Sequence, residues 1–361
     1  MTTLELKDKR SDIADNISTK APKIIFVNEP AVLISIDGEP RLKEEKDSKL
    51  MRVINTPYTI LLDTSSKSYY LNADATTWYT SDDIKSEWAI AKSVPAEVSA
   101  KAPKSEQVEE GDDNSKPGPI PKIIVTTEPA ELISATGNPE FTPISGTDLL
   151  YVSNTESDVF KDINSQDYYV LLSGRWYAAG SLKGPWKYVP GEKLPKDFSK
   201  IPEDSEMGTV LYAVPGTEVA KEAVFDAQIP QTAMIDRNTA KLSVEYDGNP
   251  KFETLKGTKL TYAANTATPV IKVDKQYYAC NEAVWFVSAN PKGSWTVATS
   301  VPDVIYTIPP ESLLYHVTFV RIYKVTDAYV YVGYTPGYTG TYVYNTTIVY
   351  GTGYYWPGWY G

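Results

Sequence analysis

Short apolar runs broken by turn residues dominate the chain. KIIFV at 23–27 and KIIVTT at 122–127 are each followed by an apolar run that ends at a D-G or T-G-N turn. Runs of β-branched and aromatic residues bounded by Gly, Asn and Asp are typical of hairpins. The pattern therefore predicts an all-β fold.

One segment has a helical period instead of a strand period. In GTEVAKEAVFDA at 216–227, the apolar residues Val219, Ala223 and Val224 share one helical face, and Thr217 stands where a capping side chain is preferred. We expect a short helix that bridges two β regions.

An aromatic phrase recurs three times with fixed spacing. A Tyr-Tyr pair is followed by a Trp-aromatic pair and then by a second Trp, ten residues after the first in YYVLLSGRWYAAGSLKGPW at 168–186. The equivalent Trp pairs are Trp78 and Trp88, Trp176 and Trp186, and Trp285 and Trp295. Similar segments around Gly38, Gly137 and Gly248 precede each phrase. The chain therefore repeats one module of roughly 75–80 residues, a size that gains from packing on its neighbours.

Changes in composition divide the chain into modules and connecting segments. The predicted organisation is an N-terminal extension 1–22, β module 1 at 23–98, an acidic and Pro-rich linker 99–121, β module 2 at 122–198, a bridging segment with a short helix 199–225, β module 3 at 226–305 and a Tyr- and Gly-rich β-ribbon 306–361. Each Trp phrase is predicted to be a three-stranded meander, so the fold is three small β-meander or sandwich-like modules in series. The strands of the ribbon would form an aggregation-prone sheet edge unless they pair with other strands.

Charge and composition exclude several classes of partner. The net charge is −11 and no basic cluster lies among the aromatics, which argues against nucleic acid and against anionic lipid. No run of 18 apolar residues occurs, so we expect no membrane-spanning helix. The single Cys280 excludes a disulfide framework and is interpreted as a small buried strand residue. Residues 1–16 are charged throughout and show no signal-peptide core.

The two Trp positions of each phrase have different interpretations. Strand alternation places the second Trp, which is Trp88, Trp186 or Trp295, among apolar neighbours and favours a core role. For the first Trp, two roles stay open: a core anchor, or an exposed platform on which a sugar ring stacks beside polar groups such as Arg175. If the strand has one buried face, either Trp176 or its neighbour Tyr177 must point away from the core.

The phrase at 168–189 is similar to the aromatic pattern of small family V/XII (5/12) carbohydrate-binding modules. Longer stretches, including PKIIVTTEPAELI, FDAQIPQTA and YVGYTPGYTG, resemble bacterial carbohydrate-binding family V/XII proteins over nearly the whole chain. The resemblance implies a β-rich protein of the cell envelope or exterior with a polysaccharide ligand. Fuller members continue at both ends, so the missing signal says little about location. The implied carbohydrate-binding candidates are Trp78, Trp176, Tyr177, Trp186, Trp285 and Trp295. Module 1 has Ser86-Glu87-Trp88 in place of a Gly-Pro-Trp turn and is the least expected to bind.

Catalytic and metal motifs are not evident in the sequence. His316 is the only histidine and lies in a strand-like run, and no nucleophile elbow, phosphate loop or zinc motif occurs. Asp158, Asp162 and Asp167 could surround a cation, but their irregular spacing favours a solvated acidic face. We expect a non-catalytic binding protein without a cofactor or metal. The alternative is a structural protein that assembles into a homo-oligomer or filament through its C-terminal Tyr-rich strands, with the Trp pairs serving only as core.

Overall fold

The computed structural model describes residues 17–73, 77–103 and 120–355, and strands dominate these ranges. The all-β prediction is confirmed. Most of the expected N-terminal extension and of the linker, including the acidic run EEGDDN at 109–114, lies outside the described residues, as do the last residues of the expected ribbon.

Each module is built on a six-stranded antiparallel sheet whose strands are neighbours in chain order. In module 1 the strands are β3 Leu42–Glu44, β4 Leu50–Val53, β5 Thr59–Asp63, β6 Ser68–Asn72, β7 Trp78–Ser81 and β8 Ala89–Ile90. In module 2 they are β11 Phe141–Pro143, β12 Leu149–Val152, β13 Val159–Asp162, β14 Tyr168–Leu172, β15 Arg175–Ala179 and β16 Lys187–Val189. In module 3 they are β18 Phe252–Thr254, β19 Thr261–Ala263, β20 Val270–Val273, β21 Gln276–Asn281, β22 Val284–Ser288 and β23 Thr296–Val297. The three-stranded meander predicted for each Trp phrase forms the second half of each sheet.

An asparagine closes the glycine turn that precedes each sheet. Gly38 has a φ of +71°, a backbone conformation that favours glycine. The Asn55 amide donates to the carbonyl oxygens of Asp37 and Glu39, on either side of this glycine, and its Oδ1 accepts from the Arg41 N–H at 2.8 Å. Asn154 and Asn265 make the same three bonds around Gly137 and Gly248. The amide thus satisfies backbone groups that the turn leaves unpaired.

Modules 1 and 2 exchange their leading strands. The four strands are β1 Lys23–Val27, β2 Ala31–Ser35, β9 Lys122–Thr126 and β10 Ala130–Ser134. β1 pairs in parallel with β10, and β2 pairs in parallel with β9. The sheets follow one another in series as expected, and in addition the first strand of each of these two modules belongs to the sheet layer of the other.

The exchange is reciprocal in its detailed contacts. The Lys122 N–H donates to the Pro30 carbonyl at 2.8 Å, and the Lys23 N–H donates to the Pro129 carbonyl at 3.0 Å. Two solvent-exposed ion pairs, Lys23–Glu128 and Lys122–Glu29, flank these bonds. Ile123 of β9 is 4% exposed within the core of module 1. Ile24 and Phe26 of β1 pack in the core of module 2.

Module 3 takes its covering strand from the C-terminal segment. β17 Gln231–Asp236, β24 Val320–Val325 and β25 Tyr329–Tyr334 form a three-stranded antiparallel sheet in the order β17, β25, β24. Val330 and Val332 of β25 are buried against the sheet of module 3. The Tyr-rich segment thus folds back on its own chain.

A second C-terminal hairpin reaches module 2. β26 Thr341–Tyr344 pairs with β27 Thr347–Tyr350, and the Tyr350 N–H donates to the Ser173 carbonyl at 3.0 Å. A Cβ at Gly174 would stand 2.5 Å from the Ile348 carbonyl oxygen, so the close approach of the hairpin requires glycine there. The prediction of strands holds for Val320–Val325, Tyr329–Tyr334, Thr341–Tyr344 and Thr347–Tyr350, whereas the expected strand around His316 is wrong, because Tyr315–Phe319 is a 3-10 helix.

Helical segments cover the remaining face of each sheet. Within the described ranges the α-helices are α1 Ala96–Ser99 and α2 Glu218–Asp226, and the 3-10 helices are Gly191–Lys193, Lys196–Lys200, Glu206–Ala213, Asp303–Thr307, Tyr315–Phe319 and Pro336–Thr339. The predicted bridging helix is confirmed as α2, with the Thr217 side chain accepting the Ala220 N–H at 3.1 Å. Over the ranges described, no helix has the length and apolar character needed to cross a membrane.

Candidate functional site

The first Trp of every phrase is buried. Trp78, Trp176 and Trp285 are 5%, 2% and 0% exposed. The Trp176 indole Nε1 donates to the Ala213 carbonyl at 2.8 Å, and that of Trp285 donates to the Val320 carbonyl at 3.2 Å. All three rings are therefore enclosed, and the indole N–H groups of Trp176 and Trp285 are hydrogen-bonded inside the protein, so these three residues do not form an exposed platform.

The aromatic neighbour of each first Trp is buried on the opposite face of the sheet. Trp176 lies on the helix-covered face, edge-on to Phe198 with ring centroids 4.8 Å apart. Tyr177 is 2% exposed and packs with Val170 on the face covered by the exchanged strand. Adjacent strand residues point to opposite faces, and here both faces are core. This corrects the expectation that Trp176 or Tyr177 must face away from the core.

The second Trp is core in two modules and half-buried in the third. Trp88 and Trp295 are buried, as expected. Trp186 is half-buried beside the apolar cluster that includes Tyr177. Five of the six sequence-derived candidates are therefore buried, and Trp186 is half-buried.

An exposed aromatic cluster lies elsewhere on module 2. Phe141, at the start of β11, is 38% exposed, and its ring centroid lies 6.3 Å from that of half-buried Tyr168. Lys161 pairs with Tyr168 across β13 and β14. Its Nζ stands 5.9 Å from the Phe141 centroid and 5.4 Å from the Tyr168 centroid. We call these three residues the module 2 cluster.

Module 3 repeats the arrangement at the equivalent strand positions. Phe252 of β18 and Tyr277 of β21 have ring centroids 5.3 Å apart, and Lys272 of β20 places Nζ 5.8 Å from the Tyr277 centroid. We call these three residues the module 3 cluster. Module 1 has Leu42 and Leu62 in place of the phenylalanine and lysine. Two of the three modules therefore share a surface that combines aromatic rings with a primary amine.

Sequence reasoning missed these clusters although a signal was present. Modules 2 and 3 share Gly-Asn-Pro-x-Phe, ending at Phe141 and Phe252, whereas module 1 reads Gly-Glu-Pro-Arg-Leu. The lysines lie on a strand preceding each Tyr-Tyr pair. Their convergence on the rings depends on how the sheet curls, which spacing along the chain does not show.

Two open grooves follow the seam between modules 1 and 2. The first, about 720 Å³, lies between the loop around Asp83 and β9. The second, about 570 Å³, is bordered by Ser134, Asn154 and Thr155. Thr155 Oγ1 donates to the Ser134 carbonyl, and the Asn154 amide is committed to its turn. The polar groups of the second groove therefore serve mainly the fold.

Three titratable groups singled out in the sequence, Cys280, His316 and Asp162, are buried or half-buried within the fold. Cys280 is buried in β21, as predicted, and burial raises the pKa of its thiol to about 12. Burial lowers the pKa of His316. The carboxylate of Asp162 is buried and accepts the N–H of Asn164 at 3.0 Å, so the expectation of a solvated acidic face is wrong for this residue. Across the described ranges, no group of three or more His, Cys, Asp or Glu side chains is placed to hold a metal ion.

Comparison of the chain with protein-family models, with curated proteins and with solved structures finds no match. The fold defines the class, which is a modular all-β protein with partly exchanged modules.

Proposed function

We propose that this chain is a non-catalytic protein of the cell envelope or exterior that binds polysaccharide through the module 2 cluster and the module 3 cluster. The observation that carries the proposal is the recurrence of one Phe–Tyr–Lys arrangement at the same strand positions of two modules. The family resemblance of the Trp phrases points to the same ligand class and implies the location.

The chemistry of the clusters suits a sugar polymer. The apolar C–H face of a pyranose packs on an aromatic ring, while an adjacent amine donates hydrogen bonds to hydroxyl or carboxylate oxygens. Lys161 lies over both rings of its cluster and Lys272 lies over Tyr277, each as a cation–π contact that is worth only about 0.5–1 kcal/mol at an exposed site. A sugar can therefore displace the ammonium at small cost.

Two sites on one chain raise the affinity for a polymer. Linked sites that engage one strand together can exceed the affinity of either site by about 10²–10⁴. Module 1 carries neither the phenylalanine nor the lysine, so it would support polymer binding indirectly, through its pairing with module 2. Assembly through the C-terminal Tyr-rich strands is less favoured, because β25 pairs with both β17 and β24, and β26 pairs with β27, inside the chain.

The test is retention of the full chain on insoluble chitin, cellulose and peptidoglycan. Phe141→Ala/Tyr168→Ala and Phe252→Ala/Tyr277→Ala remove one cluster each, and their combination removes both. Phe225→Ala is the matched control, because Phe225 is 67% exposed and belongs to neither cluster.

We expect the wild type and the control to be retained on one of the polymers, each cluster variant to bind about tenfold more weakly, and the combined variant not to bind. Circular dichroism must show that all variants are folded. Undiminished retention of the folded combined variant, or no retention of the wild type on any polymer, would refute the proposal. Trp176→Ala is unsuitable for this purpose, since its loss would disturb the core.

A further inference from the structure

Modules 1 and 2 fill each other's open strand edges, whereas one edge of module 3 has no partner strand in the part of the chain that the structure describes. The segment 240–246 holds the repeat position of β2 and β10 and alternates in burial as a strand does, with Leu242 and Val244 turned inward. Among the described residues, no backbone bond joins its N–H groups from Lys241 to Tyr246 to another strand. Over the described ranges, this edge is therefore open.

The leading strand of module 3 also has a free side. β17 is the outer strand of its three-stranded sheet, so only β25 pairs with it among the strands described. Met234 in β17 is 55% exposed, and Ile229 just before it is 47% exposed. Residues 231–235 carry no charge, and neither lysine nor proline interrupts them. Natural edge strands are usually protected by such residues, and this one is not.

We propose that two copies of this chain associate through module 3, with the β17 strand of each copy lying along segment 240–246 of the other. A second copy is the expected partner because the chain already contains contacts of this kind. β1 lies parallel to β10, and β9 lies parallel to β2 in a reciprocal arrangement. In module 3, β25 covers the sheet as an exchanged strand does in the pair, but among the described residues it pairs with β17 and β24 and leaves the backbone of segment 240–246 unpaired. A second copy has the same unpaired segment and the same free side of β17, and the reciprocal contact closes as a two-fold dimer.

Charge at the interface permits this pairing despite the net charge of −11. Residues 231–235 of β17 are neutral, and the exposed side chains of segment 240–246 include one lysine, Lys241, and one glutamate, Glu245. Two copies therefore meet along strands that do not repel each other. This proposal is independent of polysaccharide binding, although a dimer would double the number of clusters.

The experiment is sedimentation velocity of the full chain over a wide concentration range. Ser243→Pro removes an N–H from the open edge that the single chain does not use, and Ser243→Thr is its control because it keeps the N–H. Met234→Lys places a charge on the free side of β17, and Met234→Leu is its control. Circular dichroism checks the fold of every variant.

We expect the wild type and both controls to rise from the mass of one chain to twice that mass with increasing concentration. Ser243→Pro and Met234→Lys should stay at the mass of one chain. A wild type that remains monomeric at its solubility limit overturns the proposal, and so does a doubled mass in both folded test variants. If Ser243→Pro fails to fold, Met234→Lys decides, because it changes only an exposed side chain.

Discussion

The pair formed by modules 1 and 2 and the unit formed by module 3 cover the same kind of sheet with different parts of the chain. In all of them the first Trp faces helical segments and its aromatic neighbour faces additional strands. In the pair, each module receives the leading strand of the other. Module 3 instead receives β25 from the C-terminal segment, and Val330 and Val332 fill its core.

The difference shows that each repeat requires strands to cover one face of its sheet but does not determine which part of the chain supplies them. A sheet with large apolar residues at consecutive positions must bury both faces, since either face left open would expose aromatic surface to water. Several strands can meet that need if they present alternating apolar residues. Sequence repetition therefore does not imply that each module folds as an independent unit.

The largest expected effect comes from removing an exchanged side chain. Ile123→Ala deletes a residue that belongs to module 2 in sequence and to the core of module 1 in space, and we expect it to lower the free energy of unfolding by about 2–5 kcal/mol. Amide hydrogen exchange should accelerate in the strands of module 1. Ile124→Ala, at the neighbouring and less buried position, is the control. Faster exchange confined to module 2 would show that the strands are not exchanged in solution.

A smaller and local effect is expected at the contact between module 2 and the C-terminal hairpin. Arg175 is buried, and its guanidinium donates to the carbonyl oxygens of Ser18, Tyr350 and Gly351 at 2.8–3.0 Å. Module 3 has Val284 at the equivalent position. Arg175→Met should cost about 1.5–3 kcal/mol, because hydrogen bonds to a charged donor are lost. Limited proteolysis should then cut first within 341–355.

Arg237 provides a matched control for this prediction. Its guanidinium donates to the Thr326 and Asp327 carbonyls in the turn between β24 and β25. Arg237→Met should expose that turn to protease and leave the hairpin of β26 and β27 protected. If both variants release the same segment, the two C-terminal hairpins do not dock independently.

The smallest expected effect concerns a half-buried carboxyl group of module 2. Burial raises the pKa of Asp158 above 3.8, so the charged form is disfavoured in the folded protein. Its unfavourable contribution therefore appears as the pH rises above 3.8 and is absent at lower pH. Asp158→Asn should raise the melting temperature by about 1–2 °C at pH 7 and not at pH 3. The same change at exposed Asp204 should have no effect, and an equal gain at both pH values would contradict this account.

Local features of the fold follow from the sequence, whereas its long-range pairings do not. The strands around Tyr168 and Trp176, the turn at Gly174 and the cap at Thr217 depend on neighbouring residues, and periodicity and turn chemistry predict them. The exchange depends on whether β1 or β9 covers the sheet of a given module. Because KIIFV and KIIVT have the same pattern of apolar residues, the sequence does not distinguish the two arrangements. The aromatic clusters depend on sheet curl, so Phe141 and Lys161 carry no local sign of their contact.

The exchange of leading strands also constrains the order in which the modules can fold during synthesis of the chain. Module 1 cannot complete its core until Ile123 has left the ribosome, well after all of its own strands have been synthesised. Until then the face around Tyr79 remains uncovered, and contacts between residues far apart in sequence form slowly. A nascent chain paused within the linker should therefore present module 1 as an unfinished domain, available to chaperones or to the β9 strand of a neighbouring nascent chain.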